Sequence, residues 1–215
     1  MIRMISILML GLLFSLSAFG QGGPQGYFVT VTNLTKGQIF APIVVATHKS
    51  TIQMFEPGDA ALPELATLAE SGNPGPLQAL LDSLPKLVQD TNTSDGMLLP
   101  GESVTIKIYG SRAFNRLSLA GMMVSSNDAF IGLDSMVLPR SFSSTMVPAY
   151  DAGSEVNDED CDNIPGPPCG DMDDSGTDEG GTIYVSNGIQ GVADLDPAEW
   201  DWRNPVARVQ IEMAD

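Results

Sequence analysis

The segment SVTIKIY, residues 103–109, alternates polar and apolar side chains without interruption. Because a strand turns successive side chains to opposite faces, this period of two predicts a β-strand with one buried face. Residues 27–34, 115–124 and 205–212 predict further strands, as do the shorter segments 130–133, 135–138 and 146–150. Strands do not alternate with long helices, so the sequence predicts a mainly β protein, arranged as an antiparallel β-sandwich.

Residues 39–47 have the apolar centre Ile-Val-Val-Ala, which is typical of a strand buried on both faces. The period then changes to that of a helix. Residues 63–70 place Leu65, Leu68 and Ala69 on one face, and residues 76–84 repeat the pattern with four leucines. The sequence therefore predicts a short two-helix insertion that covers part of a sheet.

The chain has 215 residues, a formal net charge of -17 and 43% hydrophobic residues. Such a length and apolar content suit one domain with a substantial core. The negative charge argues against a nucleic-acid partner, because phosphates would be repelled. It also disfavours anionic membranes, unless calcium bridges the two surfaces.

The N-terminus predicts a signal peptide over residues 1–20, followed by one domain over residues 21–215. Arg3 precedes an apolar run from Ile5 to Phe14, which is short for a membrane span, and small residues follow as far as Gly20. An uncleaved membrane anchor is the alternative. Cleavage would leave an exported protein, either secreted or held in the periplasm or at the cell surface, without direct insertion in the membrane.

An acidic loop is predicted at about residues 151–181, and no Lys or Arg occurs between Arg140 and Arg203. The two cysteines of the chain, Cys161 and Cys169, both lie in this loop. In an oxidising compartment a pair at so short a spacing predicts a local disulfide. A zinc site is a poor alternative, because the single histidine, His48, is distant in sequence.

Three carboxylates are candidate metal ligands: Asp128 and Asp151 at predicted strand ends, and Glu155 four residues after Asp151. If the strands end at the same edge of the sandwich, these side chains converge there. Ca²⁺ selects hard oxygen ligands on loops, and crowded carboxylates repel one another without a cation. The alternative is a solvated acidic loop without a bound ion, and composition alone does not separate the two.

The segment from Asp171 to Glu179 is a second calcium candidate. It has oxygens at positions 1, 3 and 5 and a glycine at position 6, as an EF-hand loop begins. Thr182 stands where that loop needs a bidentate glutamate. The missing ligand favours a solvated loop without a second ion.

Five segments together, in this order along the chain, resemble the N-terminal domain of spondins, the module found in F-spondin and related matrix proteins. They are FAPIVVATH (40–48), LATLAESG (65–72), SNDAFIGL (126–133), YDAGSE (150–155) and PVARVQIE (205–212). The resemblance spans nearly the whole chain after residue 20. It implies a C2-like antiparallel β-sandwich with a calcium site at one end.

Carried over residue by residue, the resemblance places the family's calcium ligands on Asp128, Asp151 and Glu155. The third position departs from the F-spondin form, which has Asp where this chain has Glu155. The resemblance also implies a non-catalytic adhesion or recognition module, attached to an unidentified cell-surface or matrix protein or glycan.

Two other functions stay open from the residues alone: a hydrolase that uses paired carboxylates on surface polysaccharide, and a purely structural envelope protein. No Gly-x-Ser-x-Gly motif is present, and aromatic residues make up only 7% of the chain. Trp200 and Trp202 predict core anchors beside the last strand, with a small sugar-stacking or docking patch as the alternative. His48 is expected to be a hydrogen-bonded structural residue.

Overall fold

Two antiparallel sheets form the protein in the computed structural model, which describes residues 23–170 and 176–214. The strands are β1 Gln25–Asn33, β2 Val44–His48, β3 Val88–Thr93, β4 Ser103–Gly110, β5 Arg116–Met122, β6 Ala129–Val137, β7 Phe142–Val147, β8 Ala149–Asp151, β9 Tyr184–Val185 and β10 Ala207–Met213. One sheet has the order β4-β1-β10-β7, and the other has the order β3-β2-β5-β6-β8-β9. The predicted mainly β, antiparallel sandwich is confirmed.

The predicted two-helix insertion is also confirmed, as α1 Pro63–Ser71 and α2 Gly75–Asp82. Proline near the start of each helix suits the first turn, where its missing N–H leaves no hydrogen bond unmade. Gly72 ends α1 in a left-handed conformation with φ 67°, which costs glycine little. A third helix of four residues, α3 Pro197–Trp200, precedes the last strand and was not predicted.

The two largest core clusters of the described residues lie on opposite faces of the six-stranded sheet. Side chains such as Val31, Ile108, Leu119 and Val209 fill the space between the two sheets. Leu65, Leu68, Leu77 and Phe130 belong to a second cluster, under the helices. Strand β2 is buried at every position because both of its faces are covered, as its unbroken apolar sequence predicts.

The C-terminal strand is central to the four-stranded sheet. Val209 of β10 pairs with Val31 of β1 on one side and with Thr145 of β7 on the other. Residues from both ends of the described chain therefore complete one sheet.

Three segments differ from the prediction. β3 was not predicted, and it lies at a sheet edge and is half-exposed. The two short strands predicted over residues 130–133 and 135–138 are replaced by the single strand β6, Ala129–Val137. The strand predicted over residues 146–150 is divided at Pro148, since proline lacks the N–H that a continuous ladder requires. β7 and β8 consequently belong to different sheets.

Among the described residues no helix is long and apolar enough to cross a membrane. The predicted signal peptide, residues 1–20, lies outside the described part of the chain.

Candidate functional site

The three predicted carboxylates lie together at one end of the six-stranded sheet. Asp128 directly precedes β6, and Asp151 is the last residue of β8, where it pairs with Ala129. The backbone N–H of Ala152 donates to the carbonyl of Asp128 at 3.2 Å. Adjacent antiparallel strands thus bring both aspartates to the same edge, as the sequence prediction required.

Only one of the two carboxylate oxygens of Asp128 accepts hydrogen bonds from the described residues. Its Oδ2 accepts hydrogen bonds from the backbone N–H groups of Ser154 at 2.9 Å and Glu155 at 3.1 Å, and from Ser154 Oγ at 3.3 Å. Its Oδ1 is buried and has no hydrogen-bond partner among the described residues. Three other buried side-chain atoms there lack partners, but all three are nitrogens of Gln89, Trp202 and Arg208. Asp128 therefore holds an orphaned oxygen, a rare and costly arrangement inside a protein.

The turn after β8 is tight because Gly153 adopts φ 65°, a left-handed conformation that a side chain disfavours. A Cβ at this position would also lie 2.5 Å from the carbonyl oxygen of Thr182. Gly153 donates its N–H to Asp151 Oδ1 at 2.9 Å, and Asn157 Nδ2 donates to Asp151 Oδ2 at 2.8 Å. The turn aims the amides of Ser154 and Glu155 at Asp128, and both oxygens of Asp151 have donors.

Glu155 is near the start of the acidic loop and is only 4% exposed. Its Oε1 accepts from Asn127 Nδ2 at 3.2 Å, and its backbone bridges to Asp178. Asn127 Nδ2 also donates to Asp158 Oδ1 at 3.0 Å. Asn127 thus links two carboxylates of the loop, a role that the sequence prediction missed.

Burial and mutual repulsion disfavour the ionised forms of these acids. Desolvation, followed by the charge of Asp151, raises the pKa of Asp128 to about 7. Desolvation also raises the pKa of Glu155 to about 7, against the hydrogen bond from Asn127 that lowers it, and nearby charges led by that of Glu70 raise it further. Burial and the neighbouring Asp151 likewise raise the pKa of Glu179. The site therefore concentrates negative charge that it does not neutralise well.

Within residues 23–170 and 176–214, no three Asp, Glu, His or Cys side chains are arranged so that they could hold a metal ion together. The structure places Asp128, Asp151 and Glu155 at the same end of the six-stranded sheet, while their role as ligands stays a prediction. The orphaned Asp128 Oδ1 is the atom of this set that fits a cation best.

The predicted disulfide between Cys161 and Cys169 is confirmed, with an S–S distance of 2.00 Å. It encloses a short 3-10 turn at Cys161–Asn163. Of the second calcium candidate, residues 171–175 lie outside the described part of the chain. Trp202 is a core residue and Trp200 packs against the core, so the core-anchor prediction holds for both tryptophans.

Glu159 belongs to the same end of the molecule and was also missed. It is 3% exposed, and its carboxylate accepts the backbone N–H groups of Gln190 and Val192. Its own N–H donates to Asn127 Oδ1 at 3.2 Å. Glu159 therefore ties the distant loop at residues 190–192 to the acidic end, and no spacing in the sequence indicates this contact.

A second polar cluster joins the buried His48 and Ser118 to the half-buried Asp134. His48 Nε2 lies 2.7 Å from Ser118 Oγ, and Ser118 Oγ donates to Asp134 Oδ1 at 2.9 Å. His48 Nδ1 lies 2.8 Å from the carbonyl oxygen of Lys49. The register of β5 and β6 shifts at Ser118, and the resulting bulge directs the N–H of Ser135 to Ser118 Oγ at 2.8 Å.

This cluster has the residue types of a hydrolase triad but not its arrangement. Ser118 is 0% exposed and His48 is 1% exposed, so no substrate reaches the hydroxyl. The serine also stands between the other two residues, whereas a triad places the histidine there. His48 is therefore a hydrogen-bonded structural residue, as predicted.

Comparison with known proteins agrees with the architecture. The Spondin_N family model matches residues 27–155, which is more than half of the chain and includes Asp128, Asp151 and Glu155. A search of curated proteins finds no significant match. Spondin N-terminal domains are extracellular-type domains and are not known as enzymes. The chain belongs to the spondin N-terminal domain family.

Proposed function

We propose that this chain is an exported, non-catalytic adhesion or recognition domain whose acidic edge binds one calcium ion through Asp128, Asp151 and Glu155. The observation that carries the proposal is the buried Asp128 Oδ1 without a hydrogen-bond partner, beside a second buried aspartate. Leaving such an oxygen unpaired costs free energy that a bound cation recovers.

Each of the three residues would supply a carboxylate oxygen from a different position in the site. Asp128 keeps Oδ2 on the amides of the turn and leaves Oδ1 for the ion. Asp151 supplies the second buried carboxylate from the neighbouring strand. Glu155 supplies the third from the turn itself. Calcium would provide the positive charge that these oxygens lack, and it accepts carboxylate, carbonyl and water oxygens together.

The function that follows is the ordering of loops at one end of a rigid sandwich. The turn after β8, the disulfide loop and the strand β9 meet at this end. Binding surfaces of sandwich domains are carried on such loops. We infer that the ion holds them in the conformation that recognises a cell-surface or matrix protein or glycan, and that the domain acts outside the cell.

The hydrolase alternative has one observation in its favour. Glu155, with its raised pKa, lines a cleft of about 300 Å³ together with Glu70, Ser154 and Asp178. A general acid needs such a pKa. The other lining residues are Ala66 and Gly176, so the described wall lacks an aromatic side chain that would stack on a sugar. Adhesion therefore fits the site better.

Thermal unfolding with calcium and with EDTA tests the proposal. Calcium at about one hundred times its Kd should stabilise the protein by about 2.7 kcal/mol. For a chain of this size that corresponds to roughly 5–10 °C in Tm. Magnesium at the same concentration is the control, because it demands a stricter geometry and gives up its water reluctantly. Equal Tm values in calcium and in EDTA would refute the calcium site.

A further inference from the structure

The two edges of the four-stranded sheet are protected to different degrees. At the β4 edge, side chains from the other sheet occupy the outward backbone groups. Asp90 Oδ2 accepts the N–H of Tyr109 at 2.7 Å, Thr47 Oγ1 donates to its carbonyl at 2.6 Å, and Asn92 Nδ2 donates to the carbonyl of Lys107 at 3.0 Å. Another chain would find few free groups there.

At the β7 edge the outward backbone groups are open. The carbonyls of Ser141 and Val147 accept N–H groups from Met213 and Val206, on the β10 side. Because alternate residues of an antiparallel strand turn their backbone groups to the same side, Phe142, Ser144 and Met146 present theirs to the outside. Among the described residues, one weak hydrogen bond reaches these outward groups: Thr145 Oγ1 lies 3.5 Å from the carbonyl oxygen of Met146.

The side chains of β7 also lack the usual protection of an edge. Residues 141–147, SFSSTMV, contain no charge and no proline. Phe142 is 53% exposed and Met146 is 55% exposed. Natural edge strands normally avoid pairing through charges, prolines or bulges. β7 uses none of these within its length.

We propose that β7 pairs with β7 of a second copy of this chain, antiparallel and about a two-fold axis at Ser144. In this register the paired residues are those whose backbone groups point outward. Ser144 lies opposite Ser144 of the second copy, and each Phe142 lies opposite Met146 of the other copy. It forms about six backbone hydrogen bonds and two contacts of methionine with an aromatic ring, which are favourable. The two four-stranded sheets become one continuous sheet.

Charge complementarity supports this occupant over an unrelated peptide. On the next strand inward, β10, Glu212 lies beside Phe142 and Arg208 lies beside Met146. The two-fold axis therefore places Glu212 of one copy in the same row as Arg208 of the other, about 14 Å apart across the two β7 strands, so that each row aligns opposite charges and not like charges. No carboxylate meets a carboxylate at the seam, although each chain carries a net charge of -17. Strand pairing alone buries less surface than most stable interfaces, so the fraction of dimer depends on protein concentration. Added salt strengthens the dimer, because it screens the long-range repulsion between the two negatively charged chains.

Sedimentation velocity of the chain over a series of concentrations, in calcium and again in EDTA, tests the pairing. A monomer–dimer equilibrium is expected in both buffers, because β7 is not part of the acidic site. Ser144→Lys sets like charges against each other at the axis and should weaken the dimer by at least tenfold. Phe28→Lys changes an exposed residue of the same face two strands away and should not weaken it.

Cysteine cross-linking tests the register independently of affinity. Directly opposed residues of a hydrogen-bonded antiparallel pair have Cα atoms about 5.5 Å apart, within disulfide range. Ser144→Cys should therefore form covalent dimers on mild oxidation, whereas Thr105→Cys, exposed at the β4 end of the same row, should not. A chain that stays monomeric at all concentrations, equal cross-linking of the two cysteines, or a dimer unaffected by Ser144→Lys would overturn the proposal.

Discussion

Two polar clusters lie along β6, and they differ in whether other groups of the chain supply hydrogen-bond partners for their buried atoms. In the cluster of His48, Ser118 and Asp134, the serine hydroxyl, both imidazole nitrogens and Asp134 Oδ1 have partners. In the cluster of Asp128, Asp151 and Glu155, one carboxylate oxygen is buried and has no hydrogen-bond partner within residues 23–170 and 176–214. Both clusters sit at the ends or irregularities of strands, so strand geometry alone does not distinguish them.

The difference separates a structural cluster from a binding cluster. A closed hydrogen-bond network contributes to stability and leaves no group for a ligand. An open cluster of like charges lowers stability until something of opposite charge fills it. The acidic cluster fits the second description, since burial raises the pKa of both Asp128 and Glu155 to about 7.

The largest expected effect comes from breaking the closed cluster. Ser118→Ala removes one hydroxyl and leaves His48 Nε2 and the N–H of Ser135 without partners in a dry environment. We expect a loss of about 3 kcal/mol in the free energy of unfolding, measured by chemical denaturation. The rise in Tm on adding calcium should be unchanged. A loss below about 1 kcal/mol would mean that the cluster is not a closed structural unit.

The next largest effect is expected from removing the negative charge of Asp128. Asp128→Asn keeps an oxygen for the amides of Ser154 and Glu155 but loses the negative charge. It should lose the calcium-dependent stabilisation, about 2–3 kcal/mol at saturating calcium, while its Tm in EDTA at pH 8 stays equal or rises. Asp134→Asn is the matched control, because it alters the closed cluster and should retain the calcium response. The same calcium-induced shift in Asp128→Asn as in the wild type would contradict the assignment.

A smaller effect is expected from pH. The folded-state pKa values of Asp128 and Glu155 lie above their unfolded values of 3.8 and 4.5. The folded protein therefore holds more protons between about pH 4 and pH 7. The stability that these two groups contribute is fully present below about pH 4 and is lost as pH rises through 7.

In EDTA, Tm should accordingly fall as the pH rises from about 4 to 7. The increase in Tm on adding calcium should become larger over the same range, because the ion binds the ionised carboxylates. Differential scanning calorimetry at four pH values, with and without calcium, measures both trends. Asp128→Asn should flatten the fall in EDTA. A calcium shift that is the same at pH 5 and pH 8 would be inconsistent with carboxylate ligands.

The smallest effect is expected from Glu155→Asp. The change keeps the charge and the oxygen but shortens the side chain, so the calcium Kd should change by less than about tenfold, or 1.4 kcal/mol. Glu155→Gln keeps the length and removes the charge, and it should weaken binding more. Calcium titration of both variants decides the order. If the glutamine variant bound calcium more tightly than the aspartate variant, Glu155 would be a neighbour of the site and not a ligand.

Much of the fold could be predicted from local patterns. The alternation in residues 103–109 and 205–212 corresponds to β4 and β10, and the leucine spacing corresponds to α1 and α2. β3 was missed because its residues 90–92 are all polar. Asp90 and Asn92 hydrogen-bond to the exposed edge of β4, and Thr91 donates to Asp82 at the end of α2. A half-buried edge strand that caps its neighbour does not show a period of two.

The candidate site could be predicted in part. Asp128, Asp151 and Glu155 were identified from strand ends, the turn that follows and the family resemblance, and the structure places them at the same end of the sheet. Asn127 and Glu159 were missed, because their contacts join residues about thirty positions apart. The cluster of His48, Ser118 and Asp134 was also missed, since a bulge in β5–β6 aligns it and no local pattern encodes that bulge.

The most direct test of the account is a calorimetric titration of calcium into the wild-type chain at pH 7.5, repeated with Asp128→Asn and Asp134→Asn. The account predicts one calcium ion bound per chain in the wild type and in Asp134→Asn, and loss of that binding in Asp128→Asn. Absence of binding to the folded wild-type chain, or unchanged binding in Asp128→Asn, would contradict it.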